Sequence, residues 1–503
     1  MSESVSAHRE RPTTRTTAPH ASSVSPQTSE TGKEGQLSTR RKLSLLEVSA
    51  ISIGFMGPVM AMSLNGIGVS GLVGKGVPFT FVVSFIGTLL VAYAFIRLTR
   101  YVTHAGSVYA LAGVTLGPRA GFFGGFALLG TYLFFAACIA GACAVFFEAM
   151  LSELGLHLPA GAWIVVPIIV AVFVALLNIR ESAVTARTLL AIGFVGIIAM
   201  LILSVVIVTR VGSGSAPVTT GVDLSTLLPG SASLTAVMTA SVFGFLSWAG
   251  FESGTSLAEE TNDPKRTVPK ALLLAVVIAG AIYTFVMFAQ TIGYGTDATG
   301  IEKFSGAAST LTELSATYIG SWYAVLISVI AFFVAFASLL SSTAAASRLL
   351  FALARDGFGP TVFARTNART GVPTIAVLSV VVLTVVLAAA LAAIGATAVD
   401  VYYWYATIAT LCMVVAYAMT SVGIIKYAIT SGTRIPAWEV IVPVLGLAFL
   451  VWVYAVQIIG QEAPYTWFPW IAGAWCLFGL IIVIAQPRLA DRIGERLTQE
   501  DLE

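Results

Sequence analysis

Glu252 is the only acid or base in the apolar run from Leu234 to Ala258, and Gly244, Gly250 and Gly254 flank it. A carboxylate inside a membrane-spanning helix costs about 2.5–3.5 kcal/mol, so it faces a cavity or a partner. Two roles fit. It is a proton carrier on a transport path, or a fixed hydrogen-bond acceptor that ties a broken helix to its neighbours. The neighbouring stretch FLSWAGF (245–251) supplies the Ser247 hydroxyl, the Trp248 ring and carbonyls that a helix break would free. Such a break suits a zwitterion, because the positive end of one half-helix holds a carboxylate and free carbonyls hold an ammonium. Trp248 is read either as a gate over a substrate or as core packing. Glu259 and Glu260, next to Lys265 and Arg266, read as an ion-paired anchor for the following loop.

A second interruption lies about two hundred residues earlier, in SIGFMGPVMAMSLNG (52–66). Proline lacks an N–H and clashes with the preceding turn, so Gly57-Pro58 should kink or unwind the backbone. Close helix packing through small residues is the other reading of that segment. Its pairing with the interruption near Gly250 favours a ligand site.

The rest of the chain must position these residues inside a bilayer. Of 503 residues, 57% are hydrophobic and only 10% charged, which excludes an ordinary soluble protein. Stretches long enough to cross a hydrocarbon core of about 30 Å predict twelve helices. They fall near 46–72, 77–98, 120–150, 161–178, 187–209, 234–258, 270–294, 322–354, 373–394, 400–428, 437–459 and 466–486. With both termini cytoplasmic, only Lys75, Arg210 and Lys303 of the 27 basic residues lie outside, as expected where cytoplasmic loops collect Lys and Arg. The net charge of +2 is therefore a topology signal and gives no reason to propose nucleic acid as a partner. Residues 1–42 read as a disordered cytoplasmic tail, 43–486 as one transmembrane domain and 487–503 as a cytoplasmic C-terminal tail. Cys138, Cys143, Cys412 and Cys476 all fall in predicted spans and read as small buried residues, so neither a disulfide framework nor a metal site is expected.

Four stretches together resemble the amino acid–polyamine–organocation permeases. They are GFESGTSLAEETNDPKRTVPKAL (250–272), AFIRLTRYVTHAGSVYALAGVTLGPRAGFFGGF (94–126), LNIRESAVTARTLL (177–190), and SRLLFALARDGFGP with GVPTIAV (347–360 and 371–377). The resemblance implies an all-α, LeuT-like fold of twelve transmembrane helices. Inverted repeats of five helices each would occupy about 45–210 and 234–428, with two peripheral helices in 437–486. It also implies a substrate site between helices 1, 3, 6, 8 and 10. By position, Met56, Gly57, Pro58 and Val59 then form one break, and Phe245, Ser247, Trp248, Ala249 and Gly250 belong to the other. Tyr132 and the cluster Tyr402, Tyr403, Trp404 and Tyr405 become outer-gate candidates, with an interfacial aromatic belt the alternative for the cluster.

Two departures qualify the resemblance. Many relatives carry Gly-x-Gly in helix 1, whose N–H groups receive a substrate carboxylate; here Pro58 removes one donor. Several sodium-independent relatives carry a lysine in helix 5; Gly193 stands there, and no basic residue lies between Arg187 and Arg210. A sodium ion would need oxygen ligands, for which Ser338, Ser341, Ser342 and Thr343 are candidates, although hydroxyls also pack membrane helices without an ion.

These features predict a permease of the cell membrane that moves amino acids by alternating access. A cation gradient would drive it, protons being preferred to sodium, with Glu252 the proton-coupling candidate. No enzymatic chemistry and no cofactor are implied. The alternatives are an amine or polyamine permease or exchanger, an inorganic-cation carrier, or a channel or receptor on the same scaffold.

Overall fold

A computed structural model describes residues 43–102, 107–159, 161–180, 183–230, 232–355, 357, 359–367, 371–430, 435–489 and 491. The expected N-terminal tail and most of the C-terminal tail lie outside the described residues, as do the side chains of Glu259 and Glu260.

The described chain is helical, without a strand. In order, the helices are α1 (Leu45–Met56), α2 (Pro58–Val73), α3 (Val77–Leu98), α4 (Val108–Leu116), α5 (Pro118–Glu153), α6 (Val165–Arg180), α7 (Ala183–Gly212) and α8 (Leu234–Leu246). After a 3-10 segment, Phe251–Glu260, come α9 (Pro264–Tyr294), α10 (Ala298–Gly306), α11 (Thr310–Tyr318), α12 (Ser321–Arg355), α13 (Thr374–Ala393), α14 (Ala398–Thr430), α15 (Ile441–Val456) and α16 (Phe468–Ala485). Among the described residues, eleven helical stretches are long and apolar enough to cross a membrane. The sequence predicted twelve. The difference arises because Leu45–Leu98 counts as one stretch of 54 residues, its two expected spans being joined by a 3-10 turn at Gly74–Gly76 and not by a loop.

Local chemistry explains several ends. Ser44 and Glu47 form a reciprocal capping box that starts α1. Pro58, Pro118 and Pro264 each occupy the first turn of a helix, where a missing N–H costs nothing. Helices α10 and α11 fill the connection between α9 and α12. Helix α4 was not expected, because nine residues are too few to register as a span.

The long helices α5, α12 and α14 form the packed centre. Gly141 of α5 meets the backbone of Ala398 and Tyr402 on α14, and a Cβ there would lie 3.0 Å from both. Small residues at such contacts let membrane helices approach closely. Outward faces carry the opposite chemistry: Phe173 on α6, Phe194 on α7, Val382 on α13, Val451 on α15 and Leu477 on α16 are all exposed. These apolar faces suit lipid contact, as a multi-pass membrane protein requires.

Polar ties fix the periphery. At one end, Lys75 reaches Asp223 at 3.1 Å, and hydrogen bonds from Ser225 hold the Asp223 carboxyl below its usual range. At another, Arg97 of α3 donates to Glu439 at 3.3 Å, and Tyr93 donates to the same carboxylate. Both charged side chains are only 15% exposed. Removing one partner strands the other charge, so Glu439→Ala should destabilise the folded protein by about 2–3 kcal/mol, below the range for a fully buried pair. Replacing both Arg97 and Glu439 with alanine should cost less than the sum of the single changes, as read by unfolding in detergent.

Candidate functional site

The first interruption is a true break. Gly57 ends α1 in the left-handed region (φ 60°, ψ 59°) and at the same time caps the start of α2. Pro58 therefore does not kink a continuous helix. It opens a new one, in which Ala61 N–H makes the first bond to the Gly57 carbonyl at 2.9 Å. The N–H groups of Val59 and Met60 lie in the first turn, beyond reach of any carbonyl of their own helix. The expected loss of a donor at Pro58 is thus confined to one position, and two donors remain beside it.

The second interruption follows the same plan. Helix α8 stops at Leu246, residues 247–250 form tight turns, and Gly250 adopts φ 93° before the 3-10 segment. The expected break from Phe245 to Gly250 is shorter by two residues at its start, since Phe245 is helical. A Cβ on Gly250 would run into the Phe55 ring, and one on Gly254 would come within 2.6 Å of Ser52 Oγ. The second break is therefore pressed against the last turns of α1. The structure brings the two interruptions together.

Glu252 lies just past this contact and is 1% exposed. Its carboxylate accepts hydrogen bonds from Tyr132 of α5, at 3.3 Å, and from Tyr417 of α14. Among the described residues no cation pairs with it. The phenols are held by rings: Phe55 packs on Tyr132 with centroids 6.3 Å apart, while Phe95, Phe245 and Phe251 surround Tyr417 at 5.1, 6.2 and 5.5 Å. Tyr417 was missed in the sequence, where nothing distinguishes it from the other aromatic residues of α14.

A second polar relay ties the same elements together. Asn65 of α2 donates to Ser247 Oγ at 2.7 Å and accepts from the Tyr402 hydroxyl at 2.7 Å. Tyr403 donates to the Leu64 carbonyl. Both tyrosines are buried, so the interfacial-belt reading does not hold for this pair. Trp404 packs on Phe468, and Tyr405 donates to the Leu387 carbonyl, away from the relay. Asn65 was also missed; a lone asparagine near a run of small residues carries no distinctive signal.

Trp248 points elsewhere. Its ring stacks on Phe85 (6.1 Å, 3°), lies beside Phe81 and meets Tyr283 edge-on at 5.1 Å, and its indole N–H donates to the Val276 carbonyl at 3.4 Å. This places the side chain between α3 and α9. Ala249 is buried within the turn, its N–H bonded to the Leu246 carbonyl at 2.9 Å.

The hydroxyls proposed for sodium divide. Ser338 Oγ donates to the Phe55 carbonyl at 3.1 Å, at the end of α1, whereas Ser342 bonds back to the Ser338 carbonyl at 2.8 Å within its own helix. Ser341 is half-buried and Thr343 is buried. Facing the first break from α7 is Gly196, where a Cβ would meet Ile330 at 2.6 Å and Val59 at 2.9 Å; Gly193 faces open space.

A family model described as amino acid permease matches residues 47–485. The low-affinity putrescine importer PlaP of Escherichia coli (strain K12) is 27% identical over 335 residues, 66% of this chain and 71% of that protein. The branched-chain amino acid permease BcaP of Bacillus subtilis is 24% identical over 349 residues, covering 68% of this chain and 73% of its own. Cationic amino acid transporter 4 of Mus musculus is 24% identical over 364 residues, 68% of this chain and 54% of that protein.

Gly250→Ala should destabilise the protein by about 2–4 kcal/mol, from the left-handed backbone and the displaced Phe55 ring, seen as a lower unfolding midpoint in detergent. Trp248→Ala should cost about 3–5 kcal/mol of stability and Trp248→Phe much less. A weakened substrate affinity at unchanged stability would assign Trp248 to the gate.

Proposed function

The chain belongs to the amino acid permease family, within the amino acid–polyamine–organocation superfamily, and on that premise we propose that it is a secondary active transporter of amino acids working by alternating access. The observation that carries this reading is the contact of two helix breaks beside a buried carboxylate held by two tyrosines. Broken helices at a repeat interface expose backbone groups to a substrate while protein covers them from lipid.

In this reading Leu45–Leu98 crosses the membrane twice, giving twelve crossings arranged as five plus five with α15 and α16 peripheral. The basic loops put both termini in the cytoplasm of a cell-membrane protein. The substrate carboxylate meets the Val59 and Met60 N–H groups at Met56–Val59. Its ammonium meets carbonyls of the 245–250 turn, beside Ser247. Tyr132 and Tyr402 close the site from α5 and α14, and Ser338 supports the α1 end. A proton on Glu252 supplies the coupling charge, since the carboxylate has no cation partner among the described residues. No chemical catalysis and no cofactor enter this cycle.

The same uncompensated charge favours a second reading, a cationic amine as substrate. An ammonium without a carboxylate would balance Glu252 directly, and one relative bears the name of a putrescine importer.

Reconstituted protein decides between them. Uptake of labelled branched-chain amino acids should rise with an inward proton gradient, and Glu252→Gln should reduce that gradient-driven part at least about tenfold, or 1.4 kcal/mol. An unchanged pH response in Glu252→Gln reduces the residue to a fixed acceptor. Uptake of putrescine and not of amino acids establishes the amine reading.

A further inference from the structure

Away from the breaks, the junction of α3 and α9 gathers positive charge. Arg100, just past the end of α3, and Lys265, Arg266 and Lys270, in the first two turns of α9, line a cavity of about 380 Å³ floored by Pro269. Arg266 has an exposed contact with Asp263 at 3.6 Å. No described carboxylate pairs with Arg100, Lys265 or Lys270. Four cations around one concave space repel one another, and among the described side chains a single acid offsets one of them. The free N–H groups of a 31-residue helix add to the positive field, because Asp263 caps α9 without a side-chain bond to it.

We propose that this cavity is a binding site for a phosphate group, with the headgroup of an anionic phospholipid as its natural source. The location favours the lipid. Two membrane helices end there, at the depth where headgroups lie, and basic pockets between such helices attract anionic lipids. The occupant would also brace the segment that leads out of the second break: Thr261 pairs with Leu43, and Asn262 N–H donates to the Leu43 carbonyl at 3.3 Å, immediately before α9 begins. Lipid bound at Arg100 and Lys270 would hold α3 to the start of α9 and so fix the end of the 3-10 segment. This role is independent of which substrate the protein carries.

The test uses full-length protein in a neutral detergent and thermal unfolding as the readout. Phosphatidylglycerol should raise the midpoint, phosphatidylcholine at equal content should not, and inorganic phosphate is compared with chloride at matched ionic strength. Ligand that binds the folded state stabilises it according to occupancy. The triple change Arg100→Gln, Lys265→Gln and Lys270→Gln should remove most of the phosphatidylglycerol shift. Lys265→Arg with Lys270→Arg should keep it, as should Lys303→Gln on α10, beyond the far end of α9. A shift with phosphatidylglycerol alone establishes the lipid source. A shift with inorganic phosphate alone, lost in the triple variant, keeps the site and replaces the lipid with a soluble anion. No shift with either, or an equal shift in the triple variant, overturns the proposal and leaves these cations a role in topology only.

Discussion

Glu252 must have hydrogen-bond donors wherever the chain places it, because an ionised carboxylate stripped of water and left unpaired is among the most costly groups a protein can bury. The donors come from far away in sequence. Tyr132 lies on α5 and Tyr417 on α14, so the carboxylate is satisfied only when those helices and the 3-10 segment Phe251–Glu260 converge. The aromatic rings around Tyr417 then have a second role. They exclude water from the phenol and limit the directions from which the charge can be reached.

The two helix breaks obey a related constraint. Backbone that leaves a helix at membrane depth is tolerated only where protein covers it or where it lines a cavity. Gly57 and Gly250 both take left-handed conformations, and the second glycine lies against Phe55, in the last turn before the first. Each interruption thus helps to shield the other. Asn65 completes the arrangement by joining α2 to Ser247 and Tyr402 through one carboxamide, which both donates and accepts.

What could be read from the sequence was local. Apolar stretch length, a Gly-Pro pair and one acid among glycines are signals contained within a few residues, and they located both breaks and Glu252. Side-chain direction after a break is not local. Four residues of turn rotate Trp248 toward α3 and α9, and no periodicity carries through such a turn. The partners of a buried group are equally hidden: Tyr417 and Asn65 acquire their roles only from the helices that meet them. Which face of α7 meets the break is hidden in the same way: Gly196 lies against Val59, whereas Gly193 has nothing within reach of a Cβ, and a uniform apolar helix does not reveal the difference. Continuity through Gly74–Gly76 was missed because three residues with two glycines read as a loop, although they wind as a tight helical turn.

The contact between Gly250 and Phe55 has a mechanical consequence. It is a bare backbone carbon resting on a ring, with no directional bond across it, while the polar fastenings of each segment lie to either side, at Ser338 on the Phe55 carbonyl and at the two phenols on Glu252. A smooth surface between two fastened bodies behaves as a bearing. Nothing directional holds the two half-helices at Gly250 itself, so any resistance to a turn of one against the other is set at the fastenings.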